Sequence, residues 1–508
     1  MTSACSAAAQ NTPGATSSSS STFVIAADTL VDNMDPAAAS SQPELQFAKA
    51  VYETLVNYDV TSKKLTAGLA TSWQMSADSK TLTLHLRQGV TFHDGGKLTG
   101  DGVVASLKRT IAIGKGESSL LSDVDTMTAP DQQTVVITLK SPDPGFLDGL
   151  QRQFIVSPTA IAQHAGTDQG QSWFSTHEAG SGPYELKSFE PNQKVVYDQF
   201  SGYWQGWSGK HIQEYVVNSV PDAATQLLQV KQGTADWATA ISTDDANTLR
   251  TNSSVQVKVY QGSPFYLMFN TGDGKLNDPQ VRQAISLAVD PAAINTQIMH
   301  GMASPLRGPL PDWMAGQDSS APVPTQNLDQ AKSLLAAAGY SASKPLKLSF
   351  LYFNGWSWEQ TVATILQADL KQIGVTLDVK SAPWASFTQQ VGNKATRPDM
   401  GSVAVYVPTP SPDPVLTASF DPASEGNWAY WGYNNPTFTA ALRTAEATSN
   451  ATQQAALFNA AQQVLIRDYA AIWLMDMPDI FVLRKDVQGW THDPSWGLIP
   501  DYYHVYKA

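Results

Sequence analysis

Hydrophobic residues along the chain switch repeatedly between two periods, and the switches mark its elements. Leu82, Leu84 and Leu86 alternate with threonine and histidine, the two-residue period of a half-buried strand. Thr134 to Leu139 repeats it with Val135, Ile137 and Leu139, as do Val255, Val257 and Val259, while Phe23 to Ala27 reads as a buried strand. Helical spacing fills the intervals. A helix is expected from about Pro43 to Leu55, and another where Val103, Val104 and Leu107 follow Asp101 at an N-cap position. Asp222 caps a helix to Lys231 with Gly233 just past its end. Asp278 caps one with Pro279 at its first position and Val281, Ile285 and Ala288 on one face, and Asp290-Pro291 starts the next in the same way.

The second half continues the alternation. Asn327 to Ala338 is amphipathic and stopped by Gly339. A strand through Leu346, Leu348 and Phe350, a helix through Val362, Leu366 and Leu370 stopped by Gly374, and a strand through Val375, Leu377 and Val379 form a βαβ unit with a right-handed crossover. Helices Pro436 to Ala447 and Thr452 to Asp468 lead into an apolar run from Ala471 to Leu483. The class is α/β, and 508 residues exceed what one core serves, so two or three domains are expected.

Composition narrows the partners. A net charge of -13 without a basic cluster argues against nucleic acid and against an anionic membrane surface held by charge. No apolar run reaches the roughly 18 residues that a membrane span requires. The single cysteine, Cys5, excludes a disulfide framework and a cysteine-based zinc site. Catalytic signatures are missing too: there is no G-x-S-x-G elbow, H-E-x-x-H, Walker loop or Rossmann fingerprint, and no two of the eight histidines share i, i+4 spacing. His93-Asp94 reads as a turn residue beside its hydrogen-bonding neighbour, and no cofactor or metal is expected. Aromatic residues are the conspicuous feature, with 14 tryptophans that include Trp356-Ser357-Trp358, Trp384 and Trp428-Ala429-Tyr430-Trp431. Most such rings pack in cores, but flat rings on a cleft wall bind solutes by area rather than by charge.

One stretch carries a resemblance almost end to end. In Gly68 to Arg109, Leu69, Ala70, Ser72, Trp73, Asp78, Thr81, Leu86, Arg87, Gly89, Val90, Phe92, His93, Asp94, Gly95, Val103, Ser106, Lys108 and Arg109 fill the places of the opening block of bacterial extracellular solute-binding proteins of ABC importers. This is the family that contains oligopeptide- and dipeptide-binding proteins (family 5). The Asn-Met-Asp-Pro sequence at 33–36, Gly182-Pro183-Tyr184 and the stretch Phe265 to Ile294 are similar to further blocks of the same family.

The resemblance implies a two-lobed periplasmic-binding-protein fold of type II, cluster C-like, with an additional domain inserted in the first lobe. The first lobe is expected at 23–47, 180–258 and 481–508, the additional domain at 48–179 and the second lobe at 259–480. The implied function is solute capture by hinge closure and delivery to an ABC permease and ATPase complex, by a monomer outside the cytoplasm. The solute is expected to be a peptide or peptide-like compound. An oligosaccharide or other neutral solute is the alternative, with a solute sensor or an extracellular hydrolase further off.

By family position, Leu30, Val31, Ser119 and Leu120 are expected to face Trp384 and the segment Tyr406, Val407, Pro408, Thr409, Pro410 and Asp413. Peptide-binding members carry an aspartate three residues before the Asp-Pro pair, where it anchors the peptide's α-amino group. Here the pair is Asp413-Pro414 and that place holds Pro410, with Asp476 a substitute candidate. Residues 1–22 read as a flexible polar tether, and Cys5 within it is similar to the acylated cysteine of a lipoprotein, which implies a lipid anchor. Arg282 is expected to pair with a carboxylate.

Overall fold

A computed structural model of the chain describes residues 21–508 except 273; Cys5 and nearly all of the tether lie outside the described residues. The frame is one ten-stranded sheet, in which the order runs from Tyr184–Glu190, Lys194–Gln199, Glu214–Ser219, Thr22–Ala27 and Trp237–Ala238 through Ala471–Arg484 and Val255–Phe269 to Met400–Ala404, Lys347–Phe353 and Thr376–Ala382. Two strands in the middle are far longer than the rest, with 15 residues in Val255–Phe269 and 14 in Ala471–Arg484. They pair antiparallel from Val255 opposite Arg484 to Met268 opposite Ala471, so a single ladder joins both halves of the molecule.

Separate cores lie along that ladder. Phe23, Ile25, Tyr184, Tyr215, Trp237 and Phe481 belong to a core at one end. Phe265, Ile285, Leu348 and Leu366 form one at the other end, and Tyr266, Trp431, Phe438 and Trp473 cover the opposite face of that end. A fourth core, built on Leu82, Leu84, Leu86, Val103 and Leu107, sits outside the large sheet. There a four-stranded antiparallel sheet, ordered Ala70–Met75, Thr81–Leu86, Thr134–Leu139, Val124–Asp131, packs on the helix Gly100–Ile113. The predicted leucine alternation holds, since Leu82 and Leu84 are fully buried while His85 between Leu84 and Leu86 is exposed.

Local chemistry explains most element boundaries and corrects three expectations. Asp222, Asp278, Asp290 and Asn327 each accept backbone N–H bonds at the helix starts predicted for them, and Gly233 is left-handed at the stop (φ 80). The helix expected to begin at Asp101 is instead capped by Thr99, whose side chain accepts from the Gly102 N–H; Asp101 lies in its first turn. The helix expected to reach Leu55 is Gln42–Val51, because Glu53–Thr54 leaves it to pair with Phe154–Ile155. Among the described residues Arg282 has no carboxylate partner: its guanidinium donates to the carbonyls of Leu276, Asn277, Asp468 and Tyr469.

Two motifs far apart in sequence meet in a buried ion pair. Arg109 donates through both terminal nitrogens to the two oxygens of Asp35, at 2.8 and 2.6 Å, with both side chains almost fully buried. Its Nε donates to the Gln169 carbonyl at 2.7 Å and its plane lies 4.2 Å from the Phe174 ring centroid. The four-stranded unit is thereby tied to the loop leaving the first strand. A bidentate pair of this kind is costly to break singly, because the remaining charge stays buried. Arg109→Ala is expected to lower stability to denaturant by about 3–5 kcal/mol, and Arg109→Lys, lacking the planar fork, by part of that; a loss within about 0.5 kcal/mol for Arg109→Ala, the range of an ordinary surface substitution, would contradict this role.

Candidate functional site

Strand direction places the cleft. Val255–Phe269 runs from the first half into the second and Ala471–Arg484 runs back. Trp237–Ala238 is antiparallel to the returning strand, with Thr22–Ala27 and Glu214–Ser219 parallel to it in turn, so all three end toward the other half. Met400–Ala404 is antiparallel to the outgoing strand, and Lys347–Phe353 and Thr376–Ala382 follow it, so they end toward the first. Carboxyl ends of strands from both lobes therefore face each other across the ladder, the position where α/β sheets bind ligands.

Two cavities lie between the facing parts, and the first opens at these strand ends. One, of ≈ 210 Å³, lies against the ladder itself at Ser263, Met477 and Ile480, between Thr239 and Ile241 of the first lobe and Trp356 and Trp358 of the second. Its rings belong to an aromatic chain: Trp358 packs on Phe265, Trp356 stacks on Trp358 with centroids 5.6 Å apart, and Phe353 joins Trp356 to Trp384. Its first-lobe wall is braced where Thr239 donates to Asp28 at 2.9 Å. Asp479 on the ladder is held by the ring of His492 at 2.9 Å. The other cavity, of ≈ 200 Å³, lies between the four-stranded unit, at Ser119, Leu120 and Asp143, and the second lobe, at Thr409, Asp413 and Glu446. A larger cavity of ≈ 560 Å³ sits wholly within the second lobe around Arg282 and Arg397, where Arg397 is engaged with the Val391 carbonyl and Glu425.

The lobes touch through a three-residue network. Arg152 Nη2 donates to Glu117 Oε1 at 2.7 Å and to the Tyr406 hydroxyl oxygen at 2.8 Å, and the Tyr406 hydroxyl donates to the same Glu117 oxygen at 2.7 Å. The arginine is positioned by the Ser495 carbonyl and by the Trp496 ring 4.0 Å away. A second contact runs from Lys63 Nζ to the Asp312 carbonyl at 2.8 Å.

The residues singled out from sequence fall into three groups. Ser119, Leu120, Thr409 and Asp413 come together on the second cavity, and Tyr406, 54% exposed, makes the cross-lobe contact. Trp384 is exposed and packs with Phe353, Phe387 and Trp428 on the second lobe's aromatic chain. Val31 and Val407 are core residues of the first and second lobes, Leu30 packs at the first core's edge, and Pro408 and Pro410 shape the loop between Tyr406 and Thr409 and the following helix Pro412–Phe420. Arg152, Glu117, Asp143 and Glu446 escaped sequence reasoning. Their partners are up to 343 positions away, so no local spacing announces them. Trp356 and Trp358 were visible as an aromatic run, without a signal of which surface they would line.

The profile of the family described as "Bacterial extracellular solute-binding proteins, family 5 Middle" matches residues 64–427. Among curated proteins, the chain is 29% identical over 477 residues to a probable D,D-dipeptide-binding periplasmic protein of Escherichia coli (strain K12), covering 91% of this chain and 89% of that one. It is 28% identical over 468 residues to a glutathione-binding protein of Pectobacterium atrosepticum, with 89% and 88% covered. Among solved structures, HbpA2 from Haemophilus parasuis superposes with a TM-score of 0.85 at 24% identity, over 96% of this chain and all of that one, and shares its fold. Among the described residues no helix is long and apolar enough to cross a membrane.

The ladder also carries a buried acid. The outgoing strand bulges at Gly262, two residues before the Pro264 that stands opposite Asp476, and the Gly262 N–H donates to Asp476 Oδ1 at 3.2 Å. A Cβ at Gly262 would stand 2.4 Å from the Met477 carbonyl, so the bulge admits only glycine. Asp476 is 1% exposed and its Oδ2 has no hydrogen-bond partner. Burial first, then the charges of Asp479 and Asp312, push its pKa up to about 8. The folded protein therefore keeps a proton that the unfolded chain releases near pH 4, and this contribution to stability is present below about pH 4 and lost as pH rises toward 8. Asp476→Asn keeps the site neutral, so its melting temperature relative to wild type should climb between pH 5 and pH 8. A difference that stays constant across that window would show that Asp476 does not titrate there.

Proposed function

We propose that this chain, which belongs to family 5 of the bacterial extracellular solute-binding proteins, captures a peptide or peptide-like solute between its lobes and delivers it to the permease of an ABC importer. The carrying observation is the cavity at the opposed strand ends, beside the two continuous strands that join the lobes, with a second cavity between the additional domain and the second lobe. A pair of strands can flex as a hinge. A solute that contacts both walls gains contacts only when they close, so binding and closure share one free energy. The peptide-like class is supported by relatives named for a D,D-dipeptide and for glutathione, both short peptides.

In this reading Trp356 and Trp358 cover the solute against Ile241 and Met477, Trp384 extends that wall, and Tyr406 latches the lobes through Glu117 and Arg152. Thr409, Asp413, Ser119 and Leu120 border the second cavity, while Leu30, Val31, Val407, Pro408 and Pro410 hold the walls in shape. The lobes are 23–47 with 180–258 and 481–508, and 259–480, and the additional domain is 48–179; the separate cores support its middle, while Val51, Tyr52, Phe154, Val156 and Phe174 near its ends pack into the first lobe's core. The protein works as a monomer outside the cytoplasm, held at the membrane through acylated Cys5. Mass spectrometry of the solute that co-purifies, followed by calorimetry with that compound, tests the reading. A short peptide or peptide derivative is expected, with Trp356→Ala weakening its binding about tenfold, the scale of a modest aromatic contact at about 1.4 kcal/mol. If peptides of several lengths give no heat and leave tryptophan fluorescence unchanged while a glycan titrates, the peptide reading is wrong.

A further inference from the structure

The two interlobe cavities differ in charge. The cavity under Trp356 and Trp358 is walled mainly by apolar side chains with one carboxylate, Asp479. The second is lined by four carboxylates, Asp123 and Asp143 from the additional domain and Asp413 and Glu446 from the second lobe, and by no lysine, arginine or histidine. These acids act on one another across the gap. Asp143 is pushed up by burial and then by the charge of Asp413. Glu446 is raised to about 7 by burial and then by its contact with Asp413. The neighbouring cations are engaged at the rim: Arg443 binds Glu446 and Asp421, and Lys140 donates to the Ser122 carbonyl at 2.7 Å.

A second observation points into the same space. Thr409 lines this cavity at 3% exposure, and its hydroxyl has no hydrogen-bond partner. A buried hydroxyl left unpaired is unfavourable, so a donor that reaches it gains a hydrogen bond. Like-charged carboxylates brought together by closure are unfavourable too unless a positive charge enters between them. A chelated metal is not what they fit, because among the described residues no three acidic, histidine or cysteine side chains converge at coordination geometry. The space of ≈ 200 Å³ is several waters in size, room for one extended side group.

We infer that this cavity is a subsite for a cationic side group of the solute, a lysine-like ammonium or an arginine-like guanidinium, held between Asp143 and Asp413 with the Thr409 hydroxyl accepting one of its N–H bonds. The inference rests on the solute-binding reading above and narrows it: the preferred solute carries a positive charge on a branch, separate from the body that lies under the tryptophans. Ammonium and guanidinium groups add donors to those these acids already have, the Thr417 hydroxyl on Asp413 Oδ1, the Gly145 N–H on Asp143 Oδ1, the Ser141 N–H on Asp123 Oδ2 and Arg443 on Glu446.

Calorimetry on the purified chain with the tripeptides Ala-Lys-Ala, Ala-norleucine-Ala and Ala-Glu-Ala tests this, since all three share their termini. The lysine peptide is expected to bind at least tenfold more tightly than the norleucine peptide, and the glutamate peptide most weakly. In Asp143→Asn and in Asp413→Asn, one in each wall, the lysine advantage should fall below threefold. Thr409→Val should weaken the lysine peptide while raising the melting temperature of the unliganded protein, which a merely structural hydroxyl would not do. Equal binding of the lysine and norleucine peptides overturns the inference. If no tripeptide binds but cadaverine does, with the same sensitivity to Asp143→Asn, the subsite stands and the peptide reading falls. If neither the tripeptides nor cadaverine bind, the inference is overturned.

Discussion

The antiparallel pairing of Val255–Phe269 with Ala471–Arg484 is the constraint on which the rest depends. Because backbone groups in a ladder must be paired, a sheet that continues through both lobes fixes how the lobes are joined and the direction of each strand around them. That direction in turn sends the loops after Ala27, Ala238, Phe353, Ala382 and Ala404 into one gap. The ladder is interrupted only near its middle, by the irregularities at Gln261–Ser263 and Phe265–Tyr266. A bulge increases local twist and leaves a residue unpaired, and it is there that the ladder gives up regular pairing, beside Asp476 and beside the cavity at Ser263 and Met477.

Around that hinge, the residues that make the family visible and those that shape the site do different work. Arg109 and Asp35 clamp the additional domain to the first lobe. His93 does related work nearby, held between Glu178 at 2.8 Å and the Gly182 carbonyl at 3.0 Å, while Glu53 receives hydrogen bonds from Trp204, Tyr203 and Ser181. Gly182 is needed because a Cβ there would meet the Val51 backbone at 2.6 Å. These contacts position a scaffold. The cleft is bordered instead by Trp356, Trp358, Thr409 and Asp413, and the loop from Tyr406 to Asp413 carries Pro410. Four carboxylates line the second cavity, with Asp143 and Asp123 contributed by the additional domain.

Periodicity and caps were legible in the sequence because they are local. The leucines of Thr81–Leu86, the Asp222 and Asp278 caps and the strand–helix–strand run ending at Ala382 follow from neighbours within a turn or a pleat. Thr99 displaced Asp101 as a cap because both residues suit that role and only the chain's entry into the helix decides between them. The Gln42–Val51 helix ended early because a partner strand, Phe154–Ile155, some hundred residues on, competes for its tail. The site was less legible for the same reason carried further. Arg152 and Tyr406, or Asp143 and Asp413, become neighbours only when two lobes and an inserted domain are assembled, and no spacing within either segment records the other.

The central claim is that solute draws the two walls together about the paired strands. Spin labels at Ser62→Cys and Ala315→Cys in a Cys5→Ser background report the distance across the Lys63–Asp312 contact by pulsed electron–electron resonance. With the co-purifying solute bound, a single narrow, short distance is expected. After the solute is removed by unfolding and refolding, a broader distribution shifted to longer distances is expected. The same narrow distribution with and without solute would contradict the claim.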